Sequence, residues 1–264
     1  APVLAGALDV TTQGSVEVAK DAAMLGVDGL FVFPAFGAQD VAIAWDSDAY
    51  PEVMSDMFNA IAREADLPMV VHPVASPSIR YGIGLSAAAT RYVCDNVPNV
   101  VGWKMTYNYN GYREIARVVR SFDRPVDVLG ALAKFFHENL ANDQFDGTAS
   151  GAWNYAPEAM MDHILAWWRG DIKQATEIWN GGLAQLHEYV FSEMSRLHVR
   201  YKVAAWLRGF IDNPSLRPPM PKPRLNEIET LYELLGELGV SRIGLVDIDR
   251  YVGRLTESQS AVPA

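Results

Sequence analysis

The chain is poor in cysteine and in lysine, and it has no long apolar run. One cysteine in 264 residues, Cys94, excludes an internal disulfide framework and fits a reducing compartment, so a cytoplasmic protein is expected. Acidic residues outnumber basic ones, giving a formal net charge of −10. That balance argues against a polyanion-binding surface, and no nucleic-acid partner is expected. No apolar run is long enough to span a bilayer, so no membrane partner is expected either. The opening Ala1-Pro2-Val3-Leu4 lacks the basic region of a secretory signal and reads as a strand beginning at once. Internal repeats, low-complexity tracts and a Gly-rich phosphate loop are missing. His137, His163, His187 and His198 fall in helical patterns rather than ligand spacings, so no metal is expected.

What is present is an alternation of short apolar runs and longer amphipathic stretches. The runs are 3–8, 29–33, 69–72, 100–104, 126–129 and 147–150. Helical patterns fill 15–25, 51–65, 86–96, 111–121 and 133–142. Strands separated by helices imply βαβ units and a parallel sheet, whose strands are buried on both faces and therefore lack alternation. Ser15 and Ser86 are placed as helix N-caps, Pro51 suits a first helical turn, and Gly26 is a C-terminal stop. After Pro157 only helices are expected: 158–169, 171–195, 200–211 and 225–238, with the tail after Arg254 fraying. Two regions follow, 1–157 for the strand–helix units and 158–264 for the last barrel helix and a helical extension. Six βα units are visible, whereas a closed (β/α)8 barrel needs eight.

Lys104 ends the run Asn99-Val100-Val101-Gly102-Trp103-Lys104 and is one of only six lysines. Among valine, tryptophan and methionine an ammonium loses hydration, which lowers its pKa toward the neutral amine. A neutral amine attacks a ketone to form an imine, the chemistry of Schiff-base enzymes. The plainer reading is a strand-end lysine that snorkels into solvent.

The segment Val97-Pro98-Asn99-Val100-Val101-Gly102-Trp103-Lys104 resembles the "PNIVGIK" strand of the dihydrodipicolinate synthase / N-acetylneuraminate lyase family of class I aldolases. Arg80-Tyr81-Gly82-Ile83-Gly84-Leu85-Ser86 is similar to its "RTGVDLS", and the stretch from Asp146 to Pro157 to its "DGVISVTANVAP". Gly170-Asp171, Lys202-Val203-Ala204 and Arg217-Pro218-Pro219 follow in the family's order. The resemblance runs from about Pro2 to about Leu238. It implies a (β/α)8 TIM barrel with a C-terminal helical extension. It also implies a homo-oligomer, a dimer or tetramer. The imine lysine of that family lies on strand six, so Lys104, on the fourth visible strand, implies that the first two units are missing from the chain. The family's "TTGE" loop would be missing with them.

The resemblance assigns Lys104 as the nucleophile toward pyruvate or another 2-keto acid, with the covalent imine replacing any cofactor. His72 stands where the family has a proton-shuttling tyrosine. Histidine can do the same acid–base work, or it can be a hydrogen-bonded strand-end residue. Phe36 stands where dihydrodipicolinate synthases carry a relay tyrosine. It has no exchangeable proton, which argues against that synthesis and makes it a packing or substrate-stacking residue. Arg80 matches the arginine that binds the second substrate's carboxylate, in bidentate pairing. Ser150 and Gly151, with Asn154, lie where barrel enzymes bind anionic groups through backbone N–H donors. Trp103, Tyr107, Tyr109 and Trp153 are read either as a substrate-shaping rim, with Trp103 in the site, or as core packing. Two functions follow. One is a class I lyase or aldolase: a sugar-acid aldolase, a hydratase-aldolase or a dehydratase of keto-deoxy sugar acids. The other is a catalytically degenerate barrel that binds a keto acid or sugar acid as a sensor or assembly partner.

Overall fold

Runs of Val, Leu and Met too short for helices form a parallel sheet in the computed structural model, which describes residues 2–34 and 45–260. Its strands are β1 (Leu4–Ala7), β2 (Gly29–Val32), β3 (Met69–Val71), β6 (Val100–Met105), β7 (Asp127–Gly130) and β8 (Gly147–Thr148). They lie in the order β1-β2-β3-β6-β7-β8, each parallel to its neighbour. Parallel neighbours need crossovers, and each of the five between these strands carries a helix. Helix α1 (Thr12–Met24) joins β1 to β2, and α2 (Glu52–Ala65) precedes β3. Helices α3 (Ala87–Asn96), α4 (Tyr109–Arg120) and α5 (Phe136–Ala141) precede β6, β7 and β8. Between β3 and α3 lies an antiparallel hairpin, β4 (Val74–Ser78) and β5 (Gly82–Gly84), that the sequence analysis does not anticipate.

The helix starts follow local side-chain chemistry. The cap of α1 is Thr11, whose hydroxyl accepts from the Gly14 N–H at 2.9 Å. Ser15, expected to cap, lies one turn inside and returns its hydroxyl to the Thr11 carbonyl at 3.0 Å. Ser86 does cap α3, accepting from Ala89 N–H at 3.1 Å, and Asn108 caps α4.

A bulge sets which residues of β6 share a face. Met69 pairs with Val100 but Val70 pairs with Gly102, so Val101 is the extra residue. From there the period-two pleat puts Gly102 and Lys104 with Val70 on one face, and Trp103 and Met105 with Val71 on the other. The second face is the core: Leu30, Val32, Met69, Val71, Trp103, Met105 and Val128 are buried in the cluster that includes the apolar sides of α1 to α4.

The chain divides into two compact units, Ala1–Ala149 and Ser150–Ala264. The second is helical: α6 (Pro157–Trp168), α7 (Ile172–Ile178), α8 (Ala184–Val190), α9 (Leu197–Leu207), α10 (Leu225–Glu237) and α11 (Leu245–Ser260). The single helix expected over 171–195 is interrupted at Trp179–Leu183, where Gly182 adopts φ 118°, open to glycine and strained for other residues. The tail expected to fray after Arg254 continues as helix through Ser260. Among the described residues no helix is long and apolar enough to cross a membrane.

Candidate active site

Lys104 is the penultimate residue of β6, paired with Leu129 of β7. Its half-buried side chain runs along the face opposite the core, and Nζ stands 5.3 Å from the centre of the Phe31 ring. Gly102, one step back on that face, has no side chain, and a β-carbon there would meet Val70 and Leu129. Among the described residues no carboxylate forms an ion pair with Nζ. Burial lowers the ammonium pKa from 10.5 to about 8. At pH 7 roughly a tenth of such an amine is uncharged, against about three in ten thousand for a free lysine.

His72 follows β3 directly. Its N–H continues the ladder to the Val32 carbonyl at 2.9 Å, and its own carbonyl accepts from Val74 N–H as the chain turns into β4. The ring is tilted edge-on against Phe33, with centroids 4.8 Å apart, and lies 5.8 Å from Phe31. Its buried Nδ1 has no hydrogen-bond partner among the described residues. Burial, and then the nearby charge of Lys104, pull the imidazole pKa down to about 3, so it is neutral at physiological pH. Lys104, His72, Phe31 and Phe33 thus form one cluster at the C-terminal ends of β2, β3 and β6, the end at which barrel enzymes place their chemistry.

Other expected site residues lie elsewhere. Trp103 is fully buried on the core face, its indole N–H donating to the Tyr107 hydroxyl at 3.0 Å, because adjacent strand residues point to opposite sides. It is a core residue, which corrects its assignment to substrate binding. Tyr107 shares that core, and Tyr109 packs on Phe135 with centroids 5.4 Å apart. Arg80 is exposed and already holds a carboxylate: Nε and Nη2 donate to Glu114 of α4 at 2.9 and 2.6 Å, and the Tyr81 hydroxyl joins at 3.0 Å. A substrate carboxylate there would have to displace Glu114. Phe36 falls outside the described residues.

Ser150 and Gly151 open the second unit. Ser150 caps the turn Gly151–Asn154, accepting from Ala152 N–H at 3.3 Å, and also bonds the Tyr201 hydroxyl. The Tyr201 ring lies against Gly151, where a β-carbon would sit 2.2 Å from Cε2, so packing alone explains this glycine. Asn154 returns its amide to the Gly151 carbonyl at 2.9 Å.

Sequence reasoning missed Phe31 and Phe33. Their signal is the i, i+2 spacing in Gly29-Leu30-Phe31-Val32-Phe33, which places both rings on one face. In a strand apolar throughout, that spacing does not stand out.

The family model of the dihydrodipicolinate synthetase family matches residues 1–237. A 4-hydroxy-tetrahydrodipicolinate synthase of Thermotoga neapolitana is 25% identical over 248 residues, covering 90% of this chain and 76% of the relative. An uncharacterized DapA-like lyase of Thermofilum pendens is 25% identical over 233 residues, covering 87% of this chain and 71% of the relative. Among solved structures, dihydrodipicolinate synthase from Thermotoga maritima superposes with TM-score 0.74 at 22% identity, covering 90% of this chain and 75% of that one. A prophage protein of the dihydrodipicolinic acid synthase family from E. coli K12, solved in complex with pyruvate, gives 0.72 at 20% identity, covering 91% and 76%. These likenesses establish the fold as a TIM barrel with a C-terminal helical part; the described residues supply six of its parallel strands.

Proposed function

The chain belongs to the dihydrodipicolinate synthetase family, and from that premise we propose that it is a Schiff-base lyase acting on pyruvate or another 2-keto acid. Lys104 is the nucleophile. Its lone pair attacks the ketone carbon, the carbonyl oxygen departs as water after taking up two protons, and a cationic imine remains. That nitrogen accepts the electron pair released when a C–H or C–C bond at the neighbouring carbon breaks, giving a neutral enamine. In a dehydration the enamine then expels the hydroxyl one carbon further on, which takes up a proton and leaves as water while the cationic imine is restored. Reprotonation and hydrolysis then return the free amine.

The observation that carries this reading is an amine on β6 held near pKa 8 by burial, with His72 in the same cluster, whose buried Nδ1 has no hydrogen-bond partner among the described residues. His72 is the proton carrier in this scheme. A pKa near 3 makes it a poor base in the resting protein, but a bound carboxylate adds the negative charge that raises it. No metal or organic cofactor enters the scheme. The prophage relative solved with pyruvate supports a keto acid as ligand. We assign a reaction other than dihydrodipicolinate synthesis because Phe36 and His72 supply no phenol for a tyrosine relay. A homo-oligomer is part of the same proposal, to be tested by light scattering.

The test is covalent trapping. Incubation with pyruvate and borohydride, digestion and mass spectrometry should place a reduced adduct on the peptide that carries Lys104. An unmodified Lys104 across several 2-keto acids would falsify the reading.

A further inference from the structure

Three aromatic rings meet beside Lys104. Phe31 and Phe33 pack edge to face, with centroids 5.1 Å apart and planes at 80°, and His72 closes the corner at 4.8 Å from Phe33 and 5.8 Å from Phe31. Both phenylalanines are only half-buried, whereas Leu30 and Val32, which alternate with them, are wholly buried in the core. Part of their surface therefore stays accessible, and Nζ of Lys104 stands 5.3 Å from the Phe31 centroid. The neighbours on that face are Val70, Gly102 and Leu129. Among the described residues of this cluster, His72 is the only side chain besides Lys104 that can exchange a hydrogen bond.

From this wall we infer that the Lys104 site selects a 2-keto acid whose far end is flat and apolar, an aryl or conjugated group, over a polyhydroxylated sugar acid. The inference rests on the imine chemistry proposed above and narrows its substrate. Each hydroxyl of a sugar acid laid against Phe31 and Phe33 would give up its water for carbon, and a buried hydroxyl without a partner is strongly disfavoured. A flat ring loses no hydrogen bond there and gains the edge-to-face and stacked contacts that aromatic pairs prefer. A single imidazole can serve one polar group, not the three hydroxyls of a sugar acid such as 2-oxo-3-deoxygluconate.

Borohydride trapping at Lys104 tests this with three acids: pyruvate, 2-oxo-4-phenylbutanoate and 2-oxo-3-deoxygluconate. The concentration giving half-maximal adduct should be about tenfold lower for the phenyl acid than for the sugar acid, a ratio that one or two unmet hydroxyls produce. The Phe33→Leu variant, which keeps the wall apolar but removes the ring, should lower that ratio by about threefold, through loss of the aromatic contact to the phenyl acid. Equal or reversed preference in the unmutated protein, with pyruvate still trapped, overturns the inference and leaves the imine reading standing. A ratio unchanged in Phe33→Leu overturns it as well. No adduct with any of the three overturns the imine reading and this inference together. Should Phe33→Leu not fold, the preference of the unmutated protein decides.

Discussion

Buried cations are treated in opposite ways in the two units of this molecule. In the helical unit Arg196 is 4% exposed and Glu227 1%, and the two are joined by paired hydrogen bonds, one of them Nε to Oε1 at 2.8 Å. Arg200 reaches the same Oε1 at 3.4 Å, and the backbone N–H of Arg224 donates to Oε2 at 3.1 Å. Burial alone would push the Glu227 carboxyl up, yet the Arg196 guanidinium and these further partners hold it below its usual range. In the barrel unit half-buried Lys104 has no such partner among the described residues, and its pKa falls. Desolvation is common to both, and pairing decides the outcome. A buried charge with its counter-charge is a structural joint. A buried amine facing aromatic rings is pushed toward the uncharged, nucleophilic form.

The sharpest way to break this contrast is to remove Lys104. Lys104→Met should lower turnover of any 2-keto acid by roughly a thousandfold or more, since the covalent step is lost. The same variant should melt no lower than the parent, because the replaced ammonium is uncompensated. The linkage has a definite sign. With a folded pKa near 8 against 10.5 unfolded, the penalty is fully present below pH 8 and is relieved as pH rises from there toward 10.5. Its upper bound is about 3 kcal/mol, before screening at a half-buried site. A clear loss of stability in Lys104→Met would mean that the lysine is a structural member.

Glu227→Gln should do the opposite. It leaves Arg196 buried without its counter-charge, while Arg200 keeps only Glu193, and urea denaturation should show a loss of roughly 3 kcal/mol. His72→Leu keeps the packing against Phe33 and removes the proton carrier. The fall in turnover should be about a hundredfold, with Lys104 still forming a trapped adduct. Full activity in His72→Leu would return His72 to the role of a strand-end packing residue. Arg80→Ala should have the smallest effect: its exposed pair with Glu114 predicts no resolvable change in melting temperature. A large rise in KM there would show that the guanidinium leaves Glu114 for the substrate.

The sequence disclosed Lys104 more readily than its surroundings. Lys104 is legible because an apolar strand ends on a lysine, and the alternation of runs and helices is enough to imply a parallel sheet. The faces of the strands are not legible. Both sides of such a strand are apolar, so Trp103 reads as plausibly beside the lysine as Phe31 does. Only the register across β2, β3 and β6, with its bulge at Val101, separates them. The hairpin Val74–Ser78 with Gly82–Gly84 was hidden for another reason: two glycines and Pro77 in short strands look like loop. In the helical unit, the break at Gly181–Gly182 was visible in principle, since adjacent glycines are weak helix formers. The joint between Arg196 and Glu227 was not, because thirty-one positions separate its partners in the chain.

The most direct test of the central claim is the titration of Lys104 itself, by competitive labelling with acetic anhydride across the alkaline range and mass spectrometry of its peptide. The account predicts a midpoint near 8. A midpoint near 10.5 would contradict it.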